Sequence, residues 1–251
     1  MKLRLYLLIA GLFLASVTAG LGQAADSIQA SSGWQMGSEL SVQSRYLWRG
    51  IALSPGRVIQ PTAWLGKGNA TVTLWANCDI GSAAANPGMN EIDVTVDYQM
   101  LPGPVAVKHS FNYYYLRCNP GQSSGEVIIE ISKEIGIAAI SFRSSVDVLT
   151  YRGSYFGELE LTVGESIGDR VELEQCLGLG AGSSAFNQVN LGCYTSAVNL
   201  LKAELSATYR PNQRLYVKPA YSWQRIIDRN LRDAAPQSQF HKLSLSIGIE
   251  H

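Results

Sequence analysis

Charge is what this sequence has least of. Asp, Glu, Lys and Arg make up 16 % of its 251 residues, and 20 Lys+Arg stand against 20 Asp+Glu. A balanced, charge-poor chain carries no basic stripe, so nucleic acid is not an expected partner. Long apolar runs are also missing. Past the N-terminus none approaches the roughly 20 residues of a membrane-spanning helix. Histidine occurs three times and cysteine four times. The cysteines, Cys78, Cys118, Cys176 and Cys193, form no CxxC pair. A zinc centre is therefore not expected, and neither a metal nor a cofactor is read from the sequence.

The one apolar run is Leu3 to Leu14, preceded by Lys2 and Arg4 and followed by small residues up to Gly22-Gln23-Ala24. This pattern reads as a secretory signal peptide over residues 1–24, leaving 25–251 as the mature domain. Cleavage there removes Lys2 and Arg4, leaving 20 − 2 = 18 Lys+Arg against 20 acids. No cysteine lies near the cleavage site, so a lipid anchor is not expected. An exported chain enters an oxidising space. Disulfides Cys78–Cys118 and Cys176–Cys193 are one reading of the cysteines, and free buried thiols are the other.

What the sequence does have is alternation. In Trp34 to Gly50, the apolar set Trp34, Met36, Leu40, Val42, Tyr46 and Trp48 alternates with a polar set containing Glu39, Gln43, Arg45 and Arg49. Side chains on a strand point to opposite faces in turn, so this stretch reads as one strand between two environments. Aromatics at both ends of the apolar face match the girdles of a membrane strand, with Trp34 and Trp48 as the expected anchors. Glu91 to Gln99 repeats the pattern cleanly: Ile92, Val94, Val96 and Tyr98 oppose Glu91, Asp93, Thr95 and Asp97. So do the segments around Leu74, Phe111, Phe142, Leu161, Leu173, Leu205, Val217 and Leu245. Two strands are less regular. Val58 to Gly66 contains Pro61, which cannot donate to a ladder, and Glu126 to Lys133 is apolar on both faces at Ile128.

Counting all of them predicts an all-β, single transmembrane antiparallel up-and-down barrel of about 12 strands. The connections divide accordingly. Those at 66–69, 101–104, 134–136, 164–170 and 211–213 are short. Those at 50–57, 80–90, 117–125, 178–196 and 225–237 are mostly longer, with 151–154 the exception. Short turns on one side and long loops on the other are the outer-membrane asymmetry, which puts both termini in the periplasm. The last strand, Phe240 to His251, alternates well but ends in His rather than an aromatic.

The residues Ser44-Arg45-Tyr46-Leu47-Trp48-Arg49-Gly50-Ile51, Ser54, Gln60-Pro61, Trp64 and Leu74-Trp75-Ala76-Asn77, with Glu91-Ile92-Asp93, resemble the TorF family of bacterial outer-membrane porins. The resemblance covers about Val42 to Asp97. It implies an outer-membrane barrel with a pore-like role and brings no substrate or site residues with it.

The polar faces give the candidate site. The expected pore-lining residues are Glu39, Arg45, Arg49, Glu91, Asp93, Asp97, Lys108, Glu130, Arg143, Asp147, Glu158, Glu160, Glu172 and Glu174. Glu126, Glu204, Glu250, Lys202, Lys218 and Lys242 fall on the same face. Acids outnumber bases, which favours a channel for cations or neutral polar solutes. The plainer reading is a lumen filled with ion pairs that stabilise the barrel. For Arg49-Gly50 the same choice arises: a pore-mouth contact, or an arginine paired with a carboxylate beside a positive-φ glycine turn.

No catalytic residue is expected. His109 falls on the apolar face while Ser110 points the other way, and no motif surrounds them. The pairs Glu158/Glu160 and Glu172/Glu174 lie about 7 Å apart on one face. Lumen charge explains them more simply than a glycosidase dyad does.

The function expected is passive diffusion of small polar solutes or cations across a Gram-negative outer membrane. The partners are outer-membrane lipid, the barrel assembly machinery and the solutes. The alternative is a non-conducting structural or adhesive barrel acting through its extracellular loops. A soluble ligand-binding barrel would place its apolar face inside, against the aromatic strand ends.

Overall fold

The computed structural model describes residues 33–80, 88–101 and 103–251. The proposed signal peptide lies outside the described residues, as does most of the connection 80–90.

Twelve strands close into one antiparallel barrel. They are β1 (Trp34–Gln43), β4 (Val58–Lys67), β5 (Ala70–Asp79), β6 (Gly88–Met100), β7 (Ala106–Leu116) and β8 (Ser124–Ile135), followed by β9 (Ala138–Asp147), β10 (Tyr155–Ile167), β11 (Val171–Gly182), β12 (Ala197–Tyr209), β13 (Leu215–Ile226) and β14 (Gln239–Glu250). Each pairs with its sequence neighbour, and β1 pairs with β14 from Gly37↔Glu250 to Gln43↔Ser244. The backbones of Met36 and His251 exchange two further hydrogen bonds of 3.1 and 2.8 Å. Closure leaves no free edge, which is what lets strands stand in a medium that offers no hydrogen bonds.

The alternation decides which way each face points. In β6, Val94, Val96 and Tyr98 are exposed on the outside, while Glu91 and Asp93 are buried within. The same holds for Val127, Ile129 and Ile131 of β8, and for Leu243, Leu245, Ile247 and Ile249 of β14. A continuous outer belt of exposed Val, Ile, Leu, Phe and Tyr would be untenable in water and suits hydrocarbon. Inside are Ser, Asn, Gln, Glu, Asp, Lys and Arg.

Local exceptions have local causes. Pro61 pairs with Leu40 of β1, but the ladder to β5 passes from Ile59↔Cys78 to Thr62↔Trp75 without it. Pro219 behaves alike, paired with Leu245 of β14 while the β12 ladder passes from Ser206↔Ala220 to Tyr209↔Val217. Each proline turns its donor-less nitrogen to the side where the ladder lapses. Gly248 lies under the ring of Tyr216, its register partner. Any side chain there would collide with the ring, whose hydroxyl donates to Glu39 at 2.7 Å.

The structure corrects the first strand. The stretch 34–50 is not one strand. β1 ends at Gln43, and after Ser44-Arg45 the chain turns inward as a separate hairpin, β2 (Tyr46–Trp48) and β3 (Ile51–Ser54). Trp34 remains on the outer face, 59 % exposed, but Trp48 is not an interfacial anchor.

A second correction concerns the connection expected at 178–196. β11 runs on to Gly182, and the remaining loop folds into helix α1 (Ser184–Leu191). The connection after β13 likewise contains a short helix, α2 (Arg229–Ala234). Both sit at the long-loop end with the hairpin. All four cysteines are free thiols, so neither proposed disulfide is present. Cys176 lies within β11, opposite Thr162 and Glu204, and not at the loop it was expected to staple.

Candidate lumen site

The hairpin owes its shape to its two central residues. Trp48 pairs with Ile51, leaving Arg49 and Gly50 as a two-residue turn with φ of 49° and 80°. Two positive φ values match the twist of a tight hairpin. Glycine takes this conformation freely, whereas arginine pays roughly 1–2 kcal/mol for it. A Cβ on Gly50 would lie 3.2 Å from Leu200, so the turn seats directly on the far wall.

That wall explains why arginine is held there. The Arg49 guanidinium donates to both oxygens of Glu126 at 2.7 and 2.6 Å. The side chains are only 10 % and 6 % exposed, so the pair is shielded from water. Its guanidinium lies 4.4 Å from the Trp48 ring centre, 5.0 Å from Phe156 and 5.7 Å from Phe186. Glu126 also accepts the Tyr114 hydroxyl at 2.9 Å. A bidentate, charge-assisted pair inside an aromatic box is the strong form of the interaction. Both parts of the plainer reading of Arg49-Gly50 thus hold, at a place no alternation could indicate.

The hairpin crosses the lumen. It leaves β1, while its tip meets Glu126 of β8, Phe156 of β10 and Leu200 of β12, across the barrel. Its flank places Tyr46 5.4 Å from Trp75 of β5, and Trp48 lies edge-on to Tyr114 of β7 at 6.3 Å. Helix α1 completes the closure. Ser183 caps it by accepting the Phe186 amide at 3.2 Å, and Asn187 and Asn199 are joined at 2.5 Å. Phe186 is thereby fixed 4.8 Å from Phe156. Phe156, Phe186 and Leu200, with Trp48 and Ile51 packed on them, form a small apolar core inside the long-loop end of the barrel.

Below this stopper lies a cavity of about 530 Å³. Of the residues expected in the lumen, Arg49, Asp93, Asp97, Lys108, Arg143 and Glu158 line it, joined by Lys202, Glu204 and Lys242. The others are placed on the inner face without lining this cavity. Glu130 holds Arg143 at 2.7 Å and Lys108 at 3.4 Å. Glu160 pairs with Lys202, which also contacts Glu158 at 3.2 Å. Glu174 stands 4.0 Å from Lys218. Asp147 accepts Ser124 at 2.5 Å and two loop amides. Arg45 packs over Phe240 at 6.0 Å, and Glu172 is exposed. The Glu158/Glu160 pair is thus joined by a shared lysine. His109 faces outward, while Ser110 faces inward and donates to Asp97.

Sequence reading missed the aromatic cluster of Tyr46, Trp48, Phe156 and Phe186. Alternation assigns residues within one continuous strand, and these sit on a hairpin, a strand end and a helix.

No family model matches the chain, and no curated protein matches it. Solved structures do. The NanC porin superposes with a TM-score of 0.59 at 12 % identity, over 84 % of this chain and 98 % of that one. The KdgM porin in complex with disordered oligogalacturonate gives 0.50 at 8 %, over 86 % and 98 %. The translocator domain of the autotransporter NalP from Neisseria meningitidis gives 0.50 at 12 %, over 100 % and 97 %. At these identities the likeness is one of fold: the chain shares the closed antiparallel β-barrel of these proteins.

Proposed function

We propose that this protein is an outer-membrane channel for small polar solutes, narrowed at its long-loop end by the β2–β3 hairpin. The observation that carries the reading is the inversion of the barrel. Its outside is an apolar belt, and its inside is a charged cavity of about 530 Å³. A soluble barrel would have these faces reversed. The shared fold with the NanC and KdgM porins supports the same reading.

In this reading residues 1–24 are a signal peptide and 25–251 the mature barrel. The termini and short turns face the periplasm, and the long loops with α1 and α2 face outward. The assembly machinery would insert the barrel into lipid. The motif from Val42 to Asp97 supports a TorF-type assignment. No enzymatic step is part of the proposal. Lumen acids outnumber lumen bases, and several bases are tied up in ion pairs, so small cations and neutral solutes are the expected cargo.

The hairpin bears on the alternative of a non-conducting structural barrel, because it crosses the lumen. Planar-bilayer recording with a panel of salts, combined with vesicle swelling in sugars, decides between them. Small cation-preferring currents are expected. A complete lack of conductance would establish the structural barrel, and anion preference would overturn the assigned selectivity.

A further inference from the structure

The ion pairs of the lumen are unevenly shared. Glu126, Glu130, Glu158, Glu160, Glu174 and Glu250 each have a basic partner. On β6 neither Glu91 nor Asp93 has one, among the described residues, although both are buried, at 7 % and 9 % exposure. They sit two residues apart on one face of a strand, about 7 Å from each other. Two buried carboxylates without a counter-charge are costly, and either protonation or a bound cation relieves the cost.

What surrounds them is aromatic. In the ladder Asp93 pairs with Trp75 of β5 on one side and with Tyr114 of β7 on the other. All three line the cavity, as does Tyr46 of the hairpin. Asp93 is only partly satisfied. Its Oδ2 accepts a long bond of 3.4 Å from Asn112, and its Oδ1 accepts none. Asp93 itself lines the cavity, and its carboxylate torsion is soft and two-fold, so its oxygens can turn.

We propose that this wall, built from Asp93, Glu91, Trp75, Tyr114 and Tyr46, is a binding site for organic ammonium groups. The proposal deepens the channel reading of the same lumen, on which it rests, by naming a class of solute. Three features select that class. The free Asp93 oxygen calls for an N–H or O–H donor, and the paired carboxylates call for positive charge. The aromatic faces favour an organic cation over a still more strongly hydrated metal ion. A chelated metal is further disfavoured because, among the described residues, no three His, Cys, Asp or Glu side chains converge on a point.

The test uses the full chain folded in detergent, with n-butylammonium as probe and n-butanol as its neutral counterpart. Binding is read by saturation-transfer NMR. Saturable binding of butylammonium and none of butanol is expected. Asp93→Asn should weaken it by about tenfold or more, the effect of losing a charged hydrogen-bond partner. Trp75→Leu should weaken it by about threefold to tenfold, the loss of a cation–π face. Retained heat-modifiable migration shows that each variant is folded. Equal binding of butanol, or no change in either folded variant, overturns the proposal. Sodium current is recorded in parallel. Current without butylammonium binding overturns this site and leaves the channel reading intact, whereas binding without current does the reverse.

Discussion

The two ends of the lumen are built on opposite principles. At the long-loop end, Arg49 and Glu126 are almost fully buried and boxed by Trp48, Phe156 and Phe186. Away from that end, Arg143 at the middle of β9 is 48 % exposed on Glu130, and beside the short turns Arg210 and Glu250 are 41 % and 42 % exposed. The same kind of ion pair therefore does two jobs. Shielded from water, it ties the hairpin to the far wall, and removing one partner strands a buried charge. Open to water, it contributes little to stability and, in the proposed channel, would set the field that a solute meets.

Removing the hairpin breaks this comparison most completely. Replacing residues 46–53 by a short Gly/Ser link, with the twelve barrel strands intact, should widen the narrowed end of the lumen. Single-channel conductance should rise several-fold, and unchanged conductance would mean the hairpin does not restrict flow. Glu126→Gln is the next largest change. It leaves the Arg49 guanidinium buried against a neutral amide, at about 3–5 kcal/mol for an uncompensated buried charge. Frequent openings to a larger conductance level are expected, and the companion Arg49→Gln should give a weaker form of the same effect.

Gly50→Val tests the turn itself. A φ of 80° and the nearby Leu200 both resist a branched side chain, at a cost of about 1–2 kcal/mol. Intermittent openings are expected, fewer than in Glu126→Gln. The smallest effect belongs to Arg143→Gln in the water-exposed middle of the lumen. Stability measured by urea unfolding in lipid vesicles should move by less than about 1 kcal/mol, while the reversal potential shifts toward cations. A large loss of stability there would erase the distinction between the shielded and the water-exposed pairs.

Much of this was legible from residue order. Alternation in Glu91 to Gln99 assigned every side chain of that strand to the correct face, because a two-residue period in a two-sided environment permits one register. The inward positions of Lys108, Arg143, Lys202 and Lys242 followed in the same way. The reading failed where a strand stopped being continuous. Tyr46 and Trp48 keep the parity of Trp34, yet the break at Ser44-Arg45 turns them into the lumen. Gly178 to Gly182 looked like the start of a loop because glycine weakens strand propensity. There the glycines make room for neighbours instead: Gly180 for the Phe156 ring, and Gly182 for Phe186 and Asn187.

By itself, then, the sequence determined a closed barrel with an apolar outside and a charged inside, since local periodicity and short turns suffice for that. Tertiary structure alone decided what fills the barrel. That Arg49 reaches Glu126, 77 residues away, and that Trp75, Asp93 and Tyr114 share one wall, depends on which strands meet and where the hairpin lands. Contacts at such separation leave no periodic trace in the chain.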